Sequence, residues 1–255
     1  MTGCGPWPGR KRLAGFLATA VMVGWSVALS GSAVAKDACS PERAEVTFST
    51  VPDTTAFGSG TIAYNRQRPD ASRAGIWVAD ADGANPRLLA DAGSDAAWSP
   101  DGRRIVYYLS GVDSGVWVAD ADGGDRRWLV GGYDPAWSPN GKHIAFADGG
   151  ELSGIWVVDA DGGNQRQLTS GGSGPQWSPD GRQLAYSIPV EQVPEIWVAD
   201  AAGHRMITDG SGPVWSPGGG HIAYTRSDGE GVGVWVMGAD GSDTRRLARR
   251  GSEPA

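Results

Sequence analysis

The chain is predicted to be all-β, a β-propeller of four-stranded blades, on three observations. A tryptophan recurs inside a strand-forming triplet, as Ile76-Trp77-Val78, Val116-Trp117-Val118, Ile155-Trp156-Val157, Ile196-Trp197-Val198 and Val234-Trp235-Val236, at intervals of 40, 39, 41 and 38 residues. A second anchor keeps step with it: Trp98-Ser99-Pro100-Asp101-Gly102, Trp137-Ser138-Pro139-Asn140-Gly141, Trp177-Ser178-Pro179-Asp180-Gly181 and Trp215-Ser216-Pro217-Gly218-Gly219, spaced 39, 40 and 38 residues apart. Between the anchors lie short β-branched and aromatic runs bounded by Gly, Pro and Asp, and no helical periodicity competes with them. A repeat of about forty residues holding four short strands is one propeller blade.

The elements follow in order within each copy. A first strand ends in Trp-Ser-Pro. A second comprises Ile62-Ala63-Tyr64, Ile105-Val106-Tyr107, Ile144-Ala145-Phe146, Leu184-Ala185-Tyr186 or Ile222-Ala223-Tyr224; the third carries the Ile-Trp-Val triplet and the fourth an Arg-Leu type pattern. Pro-Asp-Gly and Asp-x-Asp-Gly supply the turns, Gly for positive φ and Asp for bonding its own backbone. The tryptophans Trp77, Trp98, Trp117, Trp137, Trp156, Trp177, Trp197, Trp215 and Trp235 are expected to be packing anchors between blades. Five copies are recognisable over 57–255, which leaves a five-bladed ring or an incomplete six-bladed one. The first copy has Phe57-Gly58-Ser59-Gly60 where the others have Trp-Ser-Pro. The alternating segment Ala44-Glu45-Val46-Thr47-Phe48-Ser49-Thr50, within residues 36–56, is expected to be a strand available for ring closure. A linear solenoid is the alternative, but no distinct capping repeat is evident.

The combination Trp-Ser-Pro-Asp-Gly-Arg-x-Ile-Ala-Tyr followed by Ile-Trp-Val-x-Asp-Ala-Asp-Gly-x-x-x-Arg-x-Leu resembles the TolB-type propeller repeat, also found in the propellers of prolyl oligopeptidase-like enzymes. The resemblance covers about residues 57–250. It implies a propeller, commonly of six blades in that family, and a binding role by fold analogy. TolB-type proteins carry an additional amino-terminal α/β domain, and the roughly twenty residues between Ala35 and the first repeat are too few for one.

Composition sets the address and narrows the partner. Arg10-Lys11-Arg12, an uncharged apolar stretch from Leu13 to Leu29, and Ala33-Val34-Ala35 form the three parts of a secretory signal peptide, residues 1–35, with cleavage expected after Ala35. An uncleaved anchor is the alternative; after cleavage no membrane span remains. Export to the periplasm or beyond the cell takes the net charge from −7 to −10, because the segment holds three basic residues and no acidic one. With no run of five or six Lys or Arg, the chain offers nucleic acid no basic face. Of two cysteines only Cys39 survives cleavage, which leaves it free or able to join a second copy as a dimer. Forty glycines and sixteen prolines are accounted for by the turns.

Signals for chemistry are sparse. Asp80-Ala81-Asp82-Gly83, Asp120-Ala121-Asp122-Gly123 and Asp159-Ala160-Asp161-Gly162 place Gly at position 4 and lack the later Glu of an EF-hand, so turn chemistry is the expected role and no metal site is assigned. His143 and His221 share a repeat position held elsewhere by Thr61, Arg104 and Gln183, and His204 has no evident partner. No Gly-x-Ser-x-Gly elbow occurs, so no catalytic residues and no cofactor are assigned. Three residues before the Trp-Ser-Pro tryptophan stand Asp95, Asp134, Gly174 and Gly212. Because the first strand of each blade lines the channel, Asp95 and Asp134 with the adjacent Tyr133 are the candidate ligand site, at one axial mouth, for a cation, an amine or a basic peptide. The expected function is an exported module binding a protein or peptide partner; a hydrolase or lyase acting at the mouth, and a structural envelope module that oligomerises, are the alternatives.

Overall fold

The computed structural model describes residues 60–67, 74–150, 153–191, 193–229 and 231–249, together with the backbone of strands at Val21–Val23, Ser26–Ala28, Ser30–Ala33 and Ala44–Thr50. Phe57 to Ser59, the cleavage position after Ala35, and Cys39 lie outside the described residues. No helix occurs among the described residues, and hence none long and apolar enough to cross a membrane.

Each copy folds as one antiparallel meander. Blade two is Gly93–Trp98, Arg104–Leu109, Gly115–Asp120 and Arg127–Val130; blade three is Tyr133–Trp137, His143–Asp148, Gly154–Asp159 and Arg166–Gln167. Blade four is Ser173–Trp177, Leu184–Ile188, Glu195–Asp200 and Gly203–Asp209, and blade five is Ser211–Trp215, His221–Asp228, Gly231–Gly238 and Arg245–Arg249. In blade one Thr61–Gln67, Ala74–Asp80 and Arg87–Ala90 follow Ala44–Thr50, with Phe48 opposite Tyr64 and Thr50 opposite Ile62. The segment Ala44–Thr50 therefore takes the innermost position of the first blade, the place of Trp-Ser-Pro strands elsewhere, and Ser30–Ala33 pairs on its far side. The four strands of blade five all come from its own repeat.

The blades stack through two chemically different faces. In the second strand Ile and the aromatic residue point back to the preceding blade, while the small residue between them points forward, as the period of two dictates. Thus Ala63, Ile76 and Val78 of blade one meet Ile105 and Tyr107 of blade two, and Val106, Val116 and Val118 meet Ile144 and Phe146. Ala145, Ile155 and Val157 likewise meet Leu184 and Tyr186, and Ala185, Ile196 and Val198 meet Ile222 and Tyr224. At each junction a small or β-branched residue receives a ring, which is close packing between sheets.

The turns lock the same junctions. In Trp-Ser-Pro-Asp-Gly the buried Ser99 hydroxyl donates to Asp101 Oδ1 at 2.6 Å and accepts from the Arg104 N–H at 2.9 Å, and Ser178 does the same with Asp180 and Gln183. The turn glycine, at positive φ, lies against the proline of the preceding blade, Gly141 on Pro100, Gly181 on Pro139 and Gly219 on Pro179, where a Cβ would sit in ordinary contact at 3.6 Å, so it is the backbone conformation that favours glycine. The tryptophans that end the first strands sit in these junctions, Trp177 Nε1 donating to the Ala136 carbonyl at 3.3 Å and Trp215 Nε1 to the Gln176 carbonyl at 3.1 Å. Trp137 Nε1 is buried without a hydrogen bond, but the Arg104 guanidinium covers its ring at 4.9 Å. Trp77 and the four triplet tryptophans that follow it are half-buried.

Burial at the junctions sets stability. Phe146→Ala, at a fully buried ring, is expected to cost about 3–5 kcal/mol in chemical denaturation, whereas Trp128→Ala, on an outer strand and 53% exposed, should stay within about 0.5 kcal/mol. Equal losses would show that the blade faces do not carry the fold.

Candidate functional site

The site grows out of a repeated backbone irregularity. The first strand of blades two to five is bulged at one place, where the register slips between Ser94 and Ala97, Tyr133 and Ala136, Ser173 and Gln176, and Ser211 and Val214. The first bulged residue is left-handed each time, with φ of 54° at Asp95, 51° at Asp134, 60° at Gly174 and 61° at Gly212. Asp and Gly are residue types that tolerate this conformation. The second bulged residue is Ala96 or one of Pro135, Pro175 and Pro213, and a proline there forfeits no ladder hydrogen bond. The bulge re-aims the side chain that precedes it. Since first strands of successive blades pack on one another, the four bulges follow one another along the inner wall.

The two carboxylates have different surroundings. Asp95 is exposed and accepts from the Ser94 hydroxyl at 2.6 Å. Asp134 is half-buried, and its Oδ2 accepts from the Gly174 N–H of the next blade at 3.0 Å. Burial pushes the Asp134 pKa above the ordinary carboxylate value; the Asp95 charge pushes it further, and the Gly174 N–H pulls partly back. Between the next two blades Ser187 Oγ replaces the carboxylate, accepting from the Gly212 N–H at 3.0 Å. The structure thus brings Asp95 and Asp134 within electrostatic reach, and places Tyr133 beside Asp134, half-buried against Gly149 and packed on the apolar cluster between blades three and four. Burial raises the Tyr133 phenol pKa, and Asp134 and Asp148 add to the rise.

Sequence reasoning missed Ser94, Ser187 and the Gly174 N–H, because each acts through a register shift or a neighbouring blade. The signal present in the sequence is Asp or Gly three residues before the Trp at the bulge, followed by Pro in blades three to five and by Ala96 in blade two. None of the ion pairs among the described residues, His143–Asp159, Arg226–Asp209 and Arg246–Asp228, involves Asp95 or Asp134.

The other acidic motifs are occupied as turns. Asp82 Oδ1 accepts from the Ala84 N–H at 2.9 Å, Asp122 Oδ1 from the Gly124 N–H at 2.8 Å and Asp161 Oδ1 from the Gly163 N–H at 2.9 Å. His143 Nδ1 lies 2.9 Å from Asp159 Oδ1 at the start of its strand. Among the described residues no group of three or more His, Cys, Asp or Glu could hold a metal ion.

The model of the TolB β-propeller domain matches residues 51–204, more than half of the chain, a span that takes in the repeats of blades one to three and most of blade four. The chain belongs to the TolB β-propeller family. No curated protein matches its sequence. Among solved structures, TolB from Acinetobacter baumannii is similar at 22% identity and a TM-score of 0.63, with 76% of this chain and 52% of that one covered. This TolB-family chain therefore spans about half the length of that protein. A TolB from Agrobacterium tumefaciens is similar at 22% identity and a TM-score of 0.60, covering 73% of this chain and 76% of that one. A chain in a nidogen/laminin complex is similar at 19% identity and a TM-score of 0.57, covering 74% and 76%. These likenesses establish the fold.

The Asp134 shift has a direct consequence for stability. A carboxyl that holds its proton more tightly when folded loses stability as pH rises from the unfolded value, near 3.8, through the raised folded one. Asp95→Asn removes the repulsion and tolerates the left-handed backbone. It should raise the melting temperature at pH 7 by about 1–3 °C and change it little near about pH 2.5, where Asp134 is protonated in both forms. A gain that persists unchanged at the lower pH would rule out charge repulsion as its source.

Proposed function

We propose that the chain is an exported binding module whose axial mouth takes a cationic segment of a protein partner. The observation that carries this reading is the Asp95–Asp134 pair. Two carboxylates are held within reach of each other on adjacent bulges, one half-buried, and no ion pair among the described residues neutralises either. A Lys or Arg from outside removes the repulsion and gains charge-assisted hydrogen bonds. Tyr133 supplies a ring beside Asp134 for the aliphatic stem or the cation itself. The net charge of −7, or −10 once residues 1–35 are removed, favours a basic partner at long range.

Binding is expected of a fluorescein-labelled octa-lysine peptide, with affinity falling as salt rises, and none of a serine–glutamine peptide of equal length. The Asp95→Asn, Asp134→Asn double variant should bind octa-lysine at least about tenfold more weakly, measured by fluorescence anisotropy. Undiminished binding by that variant would move the site away from the mouth.

Export is part of the same proposal. Supported by Arg10-Lys11-Arg12, the apolar Leu13–Leu29 stretch and Ala33-Val34-Ala35, the mature chain begins at Lys36. Intact-mass measurement of protein recovered from outside the cytoplasm should give residues 36–255; a mass that retains residues 1–35 points to an anchored form.

A further inference from the structure

We propose that the leading face of blade five binds the trailing face of blade one of a second copy, so that the protein associates head to tail. The leading face of a blade is the one turned to its successor, the trailing face the one turned to its predecessor. At the four internal junctions the leading third-strand pairs Ile76 and Val78, Val116 and Val118, Ile155 and Val157, and Ile196 and Val198 are all 0–1% exposed. The fifth pair, Val234 and Val236, is only half-buried. On trailing faces Ile105, Ile144, Leu184 and Ile222 are buried to the same degree, while their counterpart in blade one, Ile62, is half-buried.

The uncovered faces are matched in detail. Three internal junctions place the turn glycine of one blade against the fourth-strand aliphatic residue of the blade before: Gly123 on Leu89, Gly162 on Leu129 and Gly241 on Ile207. The next aliphatic residue in that series is Leu247, 50% exposed, and the unused glycine is Gly83, with nothing within 4 Å of its Cβ direction. A polar clamp repeats beside this contact. Arg87 donates to the Ala121 carbonyl, Arg127 to the Ala160 and Asp161 carbonyls at 2.9 Å, and Arg205 to the Asp240 carbonyl at 3.5 Å. The corresponding arginine of blade five is Arg245, which is exposed, and the corresponding carbonyls of blade one belong to Ala81 and Asp82 in an exposed turn.

Valines, leucine and arginine on one end and Ile62, Gly83 and two carbonyls on the other are thus the two halves of a junction whose apolar packing the chain builds four times and whose glycine contact and arginine clamp it builds three times. Within one chain the packing runs between successive blades, and the described residues of blade five show no comparable packing on those of blade one. A second copy carries the matching half. Because each copy has one of each, the interface is heterologous, closing when two copies satisfy both junctions and extending otherwise.

Sedimentation equilibrium of the chain in reductant, which keeps Cys39 from contributing, should give a mass of two or more copies. Leu247→Glu spoils one half and Ile62→Glu the other, so each alone should sediment as one copy. An equimolar mixture should regain two, since it still contains one intact half of each kind. Circular dichroism and melting verify that both variants fold, and should either fail, the exposed Arg245→Glu serves in its place and should weaken association at least about tenfold. A wild-type mass of one copy at every concentration, or a mixture that stays at one copy, overturns the proposal.

Discussion

The structure depends on one contact repeated along the chain: a ring on the trailing face of each blade seated on a small or β-branched residue of the blade before. Tyr107 on Ala63, Phe146 on Val106, Tyr186 on Ala145 and Tyr224 on Ala185 bring the sheets together, and all four rings are 0–2% exposed. A four-stranded sheet of this size cannot bury both faces alone, so each blade takes its stability from its neighbours. The glycine set against each of three rings, Gly132 on Phe146, Gly172 on Tyr186 and Gly210 on Tyr224, follows from this contact. A Cβ there would lie 2.5–2.7 Å from the ring, and φ of 130°, 108° and 141° is outside the range other residues favour.

Much of this was legible because a propeller writes its three-dimensional period into one dimension. Two tryptophan registers in step located the strand order of every blade, and Ile-Ala-Tyr gave the two faces through its alternation. What sequence could not show was which blade Ala44–Thr50 would join. Its alternating pattern suits any innermost strand, and the choice of blade one over blade five rests on backbone pairing between Phe48 and Tyr64. Nor could it show that the Trp-Ser-Pro glycines touch prolines a blade away, since Pro100 and Gly141 are neighbours only after the blades stack.

The candidate site was legible in its residues and illegible in its geometry. Counting back from Trp98 and Trp137 finds Asp95 and Asp134 at once, but a plain count places them on a regular strand. The register slips at Ser94/Ala97 and Tyr133/Ala136 turn them into left-handed bulge residues, which explains why the same position accepts glycine in blades four and five. Backbone need alone therefore accounts for Asp or Gly; it does not account for a carboxylate on two adjacent blades that repel each other. Asn would satisfy the same backbone, and Ser187 shows that a neutral oxygen can cap the next N–H equally well.

The same repeat logic separates the two surfaces of the molecule that invite a partner. The axial mouth departs from the pattern: copies two and three differ from copies four and five, as expected where side chains are chosen for something outside the fold. The ends of the array do the opposite, keeping Val234, Val236, Leu247 and Arg245 in the residue types that the internal junctions bury or clamp. A blade that only had to end the array would gain solubility from polar residues at those positions. Retaining apolar ones there preserves the capacity to dock another blade, so the two proposed sites differ in chemistry, the mouth being electrostatic and the terminal faces built from packing.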